Sequence, residues 1–268
     1  MINSSVVLYE SNPTIINKII DQFLKSNNSN LIYLIDNSPT DSLSYLSNQS
    51  SRVKYIHSKS NLGYGAGHNI AIKESIKKNI DFHLIINPDI EMETEDINHL
   101  FNFMIKNENV GLVMPKILNT DGSIQYLCKK LPSPINLILR FFTPSNFMKK
   151  SKEKFYLKST GYNKIMNIPY LSGCFMFLNV EAIKKVGMFD ERFFMYPEDI
   201  DLTRRIHTKF KTIFYPEVSV VHHHEKASSK SVKMALIHIL NIIRYFNKWG
   251  WIFDKQRRLF NARLKIYE

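Results

Sequence analysis

The sequence has two cysteines, Cys128 and Cys174, far apart and outside any C-x-x-C pairing. That argues against a zinc site and a disulfide framework, and fits a reducing cytoplasm. No stretch reaches the eighteen or so uninterrupted apolar residues that a membrane-spanning helix requires. The chain enters Val6, Val7 and Leu8 almost at once, without the basic stretch and apolar run of a secretory leader. A soluble or peripheral protein is therefore expected. Internal repeats and low-complexity tracts are also lacking.

At 268 residues the chain can build one large α/β domain, or one domain with a short appendage. Hydrophobic residues at 44% and charged residues at 22% are ordinary for a globular protein and exclude extended disorder. A net charge of +12 implies an anionic partner: nucleic acid, acidic lipid headgroups or a diphosphate-bearing substrate. A lysine-rich solvated surface would give the same number.

Short β-rich runs alternate with amphipathic stretches in the first half, as in βαβ units with a mainly parallel sheet. Strands are expected at Ser5 to Tyr9, Leu31 to Ile35, Val53 to His57 and Phe82 to Ile86, with helices at Pro13 to Lys25 and about Gly67 to Lys78. From Asn119 to about Pro169 the chain is richer in Pro, Lys and Ser, with apolar residues clustered from Ile135 to Phe142, and reads as an excursion from the sheet. Tyr170 to Asn179 reads as a buried strand and Val180 to Val186 as a helix ending at Gly187. Lys211 to Val221 is strand-like. From Met234 to Phe253 apolar residues are interrupted by polar ones, and a basic helix with Lys255, Arg257, Arg258 and Arg263 follows. Such a helix either lies in a membrane interface or packs back on the domain.

Polar groups recur just beyond strand carboxyl ends, where open α/β sheets bind ligands. Asp36-Asn37-Ser38 follows the second strand. The run Asn61-Leu62-Gly63-Tyr64-Gly65-Ala66-Gly67-His68-Asn69 lies between strand and helix, where glycines let backbone N–H groups approach a diphosphate or merely permit a tight turn. Its spacing is not G-x-G-x-x-G. Asp89, after Asn87-Pro88, can hold a divalent cation or cap a turn. Glu198, Asp199 and Asp201 crowd three carboxylates ahead of Arg204 and Arg205. Such crowding raises a pKa toward that of a general base, and an acidic first turn also complements a helix dipole. His222-His223-His224 offers imidazole metal ligands or is a surface run.

In this order the pieces resemble the family 2 glycosyltransferases of the GT-A fold, and more narrowly the bacterial rhamnosyltransferases of O-antigen and related polysaccharides. The resemblance spans Val6 to Ser229 and rests on Val6-Val7-Leu8-Tyr9, Asp36-Asn37-Ser38 with Asp41, Asn61 to Asn69, Asn87-Pro88-Asp89 and Ser172-Gly173. Gly187-Met188-Phe189-Asp190 leading into Tyr196 to Leu202, and Pro216 followed by His222, complete it. It implies a mostly parallel central sheet flanked by helices in a domain of residues 1 to 230, with a basic amphipathic extension at 231 to 268. It implies that Asp36 meets the nucleoside base with Tyr9 beside it. Asn61, Gly63, Gly67 and Asn69 would run along ribose and diphosphate. Asn87 and Asp89 would stand where the family has D-x-D, with Asp89 and His222 holding Mg²⁺ or Mn²⁺. Asp199 would be the base, with Glu198 adjacent as a second candidate or a positioner of the acceptor. Asn87 departs from the motif's first acid, Glu10 stands where Asn is frequent, and the usual glycine beyond Arg204 is missing.

The implied reaction is inverting sugar transfer from dTDP-L-rhamnose, or a UDP-hexose, to a polyprenyl-diphosphate-linked oligosaccharide, on the cytoplasmic face of the inner membrane. The partners are then the nucleotide sugar, the lipid-linked acceptor and an acidic membrane surface, and not nucleic acid. Two other classes were weighed. A nicotinamide-dependent oxidoreductase needs the glycine spacing this loop lacks, and a nucleic-acid-binding module explains the charge without a binding motif.

Overall fold

The first half of the chain is a parallel α/β unit, described by a computed structural model covering residues 1–134, 149–223 and 232–267. The apolar cluster expected from Ile135 to Phe142, and His224 with the polar run after it, lie outside the described residues. The elements are β1 (Ile2–Leu8), α1 (Pro13–Lys25), β2 (Ser29–Asp36), β3 (Val53–His57), α2 (Tyr64–Lys77) and β4 (Phe82–Ile86). Then come β5 (Ile90–Glu91), α3 (Thr94–Lys106), β6 (Val110–Leu118), β7 (Cys128–Lys129), α4 (Lys149–Phe155), β8 (Met166–Asn167), β9 (Tyr170–Leu171) and β10 (Phe175–Asn179). The chain continues through α5 (Val180–Val186), α6 (Glu198–His207), β11 (Lys211–His222), α7 (Val232–Trp249), α8 (Lys255–Ala262) and β12 (Lys265–Ile266).

Among the described residues the main sheet runs β12-β8-β11-β6-β10-β4-β1-β2-β3, with β5 paired to β11. The half from β4 to β3 is parallel; β10 is antiparallel to both neighbours, and β11 returns parallel to β6. Crossover helices feed the parallel strands as βαβ chirality demands. Helix α1 shows why the pattern was readable: Asn12 caps it by accepting from Thr14 N, Pro13 opens it, and Ile16, Ile19, Ile20 and Phe23 bury one stripe. Each buried side chain of that kind contributes about 1.5–3 kcal/mol.

Four expectations need correcting. Strand β1 begins at Ile2, because Asn3, Ser4 and Ser5, polar in the sequence, are buried with partners: Asn3 Nδ2 donates to Ser75 Oγ, Ser4 Oγ donates to Leu84 O, and Ser5 Oγ bonds both His68 and His83. Helix α2 starts at Tyr64, so Gly65, Gly67 and Asn69 lie in the helix and not in a loop. The expected strand from Tyr170 to Asn179 is two strands broken at Ser172-Gly173-Cys174, where the backbone turns its polar groups to the site. The C-terminal helix ends at Trp249, leaving Trp251-Ile252-Phe253 outside it, and β12 joins the main sheet beside β8. Elements α3 and β6 fall in a stretch for which no element was expected, although Val110 to Met114 is a continuous apolar run.

The segment after α7 is clamped to α6. Arg204 donates from Nη1 and Nη2 to both oxygens of Asp254, at 2.7 and 2.6 Å, and its guanidinium lies 4.0 Å from the Trp249 ring centre. Trp249 Nε1 donates to Asp201 at 2.8 Å, and Lys248 pairs with Asp201 and Asp190. No described helix is long and apolar enough to cross a membrane.

Candidate active site

The carboxyl ends of β1, β2, β3 and β4 and the amino end of β10 lie along one edge of the sheet. Asp36 closes β2 with its carboxylate fully buried: Oδ1 accepts from Ser38 N at 2.9 Å and Oδ2 from Tyr55 OH at 2.7 Å. Burial, and then this bond, raise the Tyr55 pKa and keep the phenol neutral. Tyr9 is half exposed just past β1, and Glu10, at φ 48°, donates its N–H to Ser38 Oγ.

The glycine run divides in two. Asn61 is exposed and its Oδ1 accepts from Gly63 N at 3.0 Å. Gly63 has φ 86°, and a Cβ there would stand 2.2 Å from Phe194 O, so no other residue fits. Tyr64 N donates to that same carbonyl, tying the run to the loop before α6. Gly65 packs on Phe189, and Gly67 on Val7, where a Cβ would meet Cγ2 at 2.8 Å. Asn69 is buried, donating from Nδ2 to Phe189 O and Glu191 and accepting at Oδ1 from Phe189 N. Gly67 and Asn69 thus hold α2 against β1 and the 187–191 turn, and only Asn61, Leu62 and Gly63 of the run lie in the loop. With Gly65 and Gly67 filled against side chains, the helix start offers no dinucleotide cradle.

At the end of β4, Asn87 N donates to Cys174 O at 2.9 Å, and its buried Oδ1 has no hydrogen-bond partner among the described residues. Two residues on, Asp89 Oδ1 stands 3.1 Å from His222 Nε2. Strand β5 makes this meeting possible: Ile90 and Glu91 pair with His222 and Val221, and His223 N donates to Asp89 O. His223 itself turns away to Glu91, at 2.9 Å. His222 is held by Gln125, whose Nε2 donates to His222 O at 2.9 Å and whose Oε1 lies 3.0 Å from Nδ1. With the amide so oriented, Nδ1 donates to Gln125 and Nε2 faces Asp89, as an acceptor in the neutral ring or a donor in the imidazolium. Two acceptors, as in the neutral ring, repel at that distance unless positive charge lies between them.

The donors present fit a hard or borderline divalent cation: a carboxylate oxygen, an imidazole nitrogen and the Asn87 amide oxygen. Among the described residues no group of three or more His, Cys, Asp or Glu could hold a metal. Further ligands would have to be substrate phosphate oxygens, as is usual for Mg²⁺.

The two carboxylates opening α6 differ in surroundings. Glu198 is 4% exposed, and its buried Oε2 has no described partner. Burial, then the neighbouring Asp199 charge, push its pKa well up. Asp199 accepts from Gly173 N at 3.1 Å and Ile200 N at 2.8 Å. Burial raises its pKa, while the Lys129 ammonium and these N–H groups oppose the rise. Both carboxyl pKa values are thus raised, that of Glu198 the more strongly. Tyr64 OH donates to Gly173 O at 2.6 Å, fixing the peptide that holds Asp199. Asp201, the third acid, is fully buried and committed to Arg205, Lys248 and Trp249. Arg205 caps α5, donating to the carbonyls of Val186, Gly187 and Met188.

Sequence reading missed Tyr64, Gln125 and Lys129. Tyr64 lay in view inside the glycine run. Nothing marks Gln125 and Lys129 locally, because β11 and the β7–β9 ladder bring them to the site from far along the chain.

A mixed sheet whose parallel half ends at Asp36 and Asn87, with Asp89 beside His222 and a carboxylate pair at the start of α6, is the GT-A fold of glycosyltransferases. Residues 9–187 match glycosyl transferase family 2, and the chain belongs to that family. The matched region includes Asp36, Asn61, Gly63, Asn87 and Asp89, whereas Glu198, Asp199 and His222 lie beyond it. The chain is 27% identical over 206 residues to the N-acetylglucosaminyl-diphospho-decaprenol L-rhamnosyltransferase of Mycobacterium tuberculosis (strain ATCC 25618 / H37Rv), covering 72% of this chain and 66% of that protein. It is 27% identical over 191 residues to rhamnosyltransferase WbbL of Escherichia coli (strain K12), covering 68% and 69%. The structure of GalNAc-T7 with UDP, GalNAc and Mn²⁺ superposes with a TM-score of 0.65 at 15% identity, over 98% of this chain and 50% of that one. The chain thus spans about two thirds of the length of the mycobacterial relative.

Proposed function

We propose that the chain transfers a hexosyl group, L-rhamnose from dTDP-L-rhamnose in the first instance, to a polyprenyl-diphosphate-linked oligosaccharide with inversion at the anomeric carbon. The observation carrying this reading is that Gly173-Cys174 joins the two sets of groups: Gly173 N donates to Asp199, beside Glu198, and Cys174 O accepts from Asn87 N, two residues before Asp89, which lies 3.1 Å from His222. The names of the two sequence relatives support the rhamnosyl donor and, for the mycobacterial one, a lipid diphosphate acceptor. A UDP-hexose is the alternative donor.

Tyr9 and the Asp36 turn receive the base, and Asn61 and Gly63 the sugar-phosphate side. Asp89 and His222, with Asn87 near, would hold Mg²⁺ or Mn²⁺, which when bound neutralises charge on the departing diphosphate. Asp199 takes the proton of the attacking acceptor hydroxyl as the oxygen approaches the face opposite the nucleotide. Glu198, uncharged, leaves that base without a second anion and donates a hydrogen bond to acceptor or sugar. This chemistry suits an enzyme at the cytoplasmic face of a membrane.

Calorimetry of dTDP-L-rhamnose against UDP-sugars, with and without Mn²⁺, on the parent and Asp89→Ala tests the reading. Metal-dependent binding of one nucleotide sugar, lost in Asp89→Ala, is expected. Absence of binding to every nucleotide sugar overturns the reading.

A further inference from the structure

Helix α7 packs Ile242, Tyr245, Phe246 and Trp249 against the domain, with Asn241 buried among them. Asn241, fully buried, donates to Met195 O at 2.9 Å, Arg244 donates to Arg192 O at 2.9 Å, and Tyr245 is buried against Arg204. The opposite side carries Val232, Leu236, Ile239, Leu240 and Ile243, spaced three or four apart and 39–78% exposed. Trp251, Ile252 and Phe253 follow, the last 85% exposed. One exposed leucine is ordinary on a protein surface, but a continuous stripe and aromatic tip are not.

At the carboxyl end of this stripe a cavity of about 480 Å³ is lined by Arg192, Phe193, Arg244, Asn247 and Lys248. Asp190 faces two of its cations and Asp201 faces Lys248, but Asp201 is also shared with Arg205, so positive charge is in excess. Residues 231–268 contain eight Lys and Arg against Asp254 and Glu268, and Asp254 is buried in its pair with Arg204.

We propose that this face docks on a bilayer of anionic phospholipid, the cavity of Arg192, Arg244 and Lys248 receiving a lipid phosphate while the α7 stripe and the Trp251–Phe253 tip enter the interface. An apolar stripe bordered by cations is the pattern that binds acidic membranes, and Trp favours the headgroup depth. A second copy fits less well: a two-fold contact through this face would set the same cations against themselves. The inference rests on the lipid-linked acceptor reading and adds a position. The inner side of α7 holds the carbonyls of Arg192 and Met195 and stacks His238 on Tyr196, so the loop entering the catalytic helix lies one helix diameter, about 10 Å, from the lipid.

The test is co-sedimentation of the full chain with vesicles of phosphatidylcholine alone or with phosphatidylglycerol, at low and high salt. The parent is expected to bind only the anionic vesicles and to weaken with salt. Leu240→Ser with Ile243→Ser, Phe253→Ser, and Arg192→Gln with Arg244→Gln should each weaken binding tenfold or more, the apolar variants with an unchanged thermal midpoint because those side chains are exposed. Equal binding by the apolar variants, or no binding by the parent, overturns the proposal. So does a concentration-dependent dimer in solution that these variants abolish. Calorimetric binding of nucleotide sugar without vesicles separates the two readings. A protein that binds nucleotide sugar but not vesicles loses only the docking surface. One that binds vesicles but no nucleotide sugar keeps the surface and loses the transferase reading.

Discussion

Gln125 and His222 are joined twice, amide N–H to backbone carbonyl at 2.9 Å and amide oxygen to Nδ1 at 3.0 Å. The pairing fixes the ring plane with Nδ1 as donor, and so aims Nε2 at Asp89. Loss of such an orienting partner typically costs 10–100-fold in metal affinity. Gln125→Leu is accordingly expected to weaken Mn²⁺ binding, read by electron paramagnetic resonance of free Mn²⁺, about tenfold or more. Gln125→Glu, which keeps an acceptor at Nδ1, should recover most of it. Equal affinity in parent and Gln125→Leu would refute the assignment.

The contrast between Glu198 and Asp199 gives a second expectation. If Asp199 is the base, Asp199→Asn lowers kcat about 10²–10⁴-fold with donor binding retained. Glu198→Gln, replacing one neutral donor by another, should cost far less. The acid limb of kcat/KM should lie above the ordinary aspartate range, since burial raises the Asp199 pKa. Lys129→Gln removes an opposing cation and should move that limb to higher pH. A limb unmoved by Lys129→Gln, or equal losses in the Asn and Gln variants, would reverse the roles.

Much of the fold was written locally. The 3.6-residue spacing of Ile16, Ile19, Ile20 and Phe23, and the apolar run Phe82 to Ile86, marked elements whose boundaries the structure repeats. Asn3, Ser4 and Ser5 defeated the strand signal, because their burial depends on partners from α2 and β4 that no local window contains. The acids Asp36, Asp89 and Asp199 were visible as turn and helix-start residues. What could not be seen was which of the three carboxylates at 198–201 is structural. That is decided by Lys248 and Trp249, a whole strand and helix later. Gln125 and Lys129 were invisible for the same reason.

The buried Arg204–Asp254 pair joins the C-terminal segment to the catalytic helix, with both side chains at most 3% exposed. Breaking a buried pair from one side strands the remaining charge and typically costs about 3–5 kcal/mol. Asp254→Ala should therefore lower the unfolding free energy from urea titration by that amount, seen as a lower midpoint, and it also removes the cap on α8, where Asp254 accepts from Arg257 N. The exposed pair Lys25–Asp21 serves as control, since Asp21→Ala should change the midpoint little. A similar small change for Asp254→Ala would mean that α7 and α8 are held by packing alone.

His83 sits between Ser5 and Ser75, with Ser5 also bonding His68, and all four side chains are fully buried. Burial lowers both imidazole pKa values, that of His83 to about 3 against an ordinary 6.5. Because the folded pKa lies below the unfolded one, stability is fully present above pH 6.5. It falls as pH drops from there toward 3, by at most about 1.4 kcal/mol per pH unit for each histidine. Glu198 and Asp199 act in the opposite sense, their raised pKa values making the folded state bind protons first as the solution is acidified. The histidine contribution is thus read as a difference: urea midpoints from pH 8 to 4.5 for the parent and for His83→Gln, whose amide can bond both serines without titrating. The parent should lose stability more steeply below pH 6.5, and parallel curves would show that the chain does not hold His83 neutral.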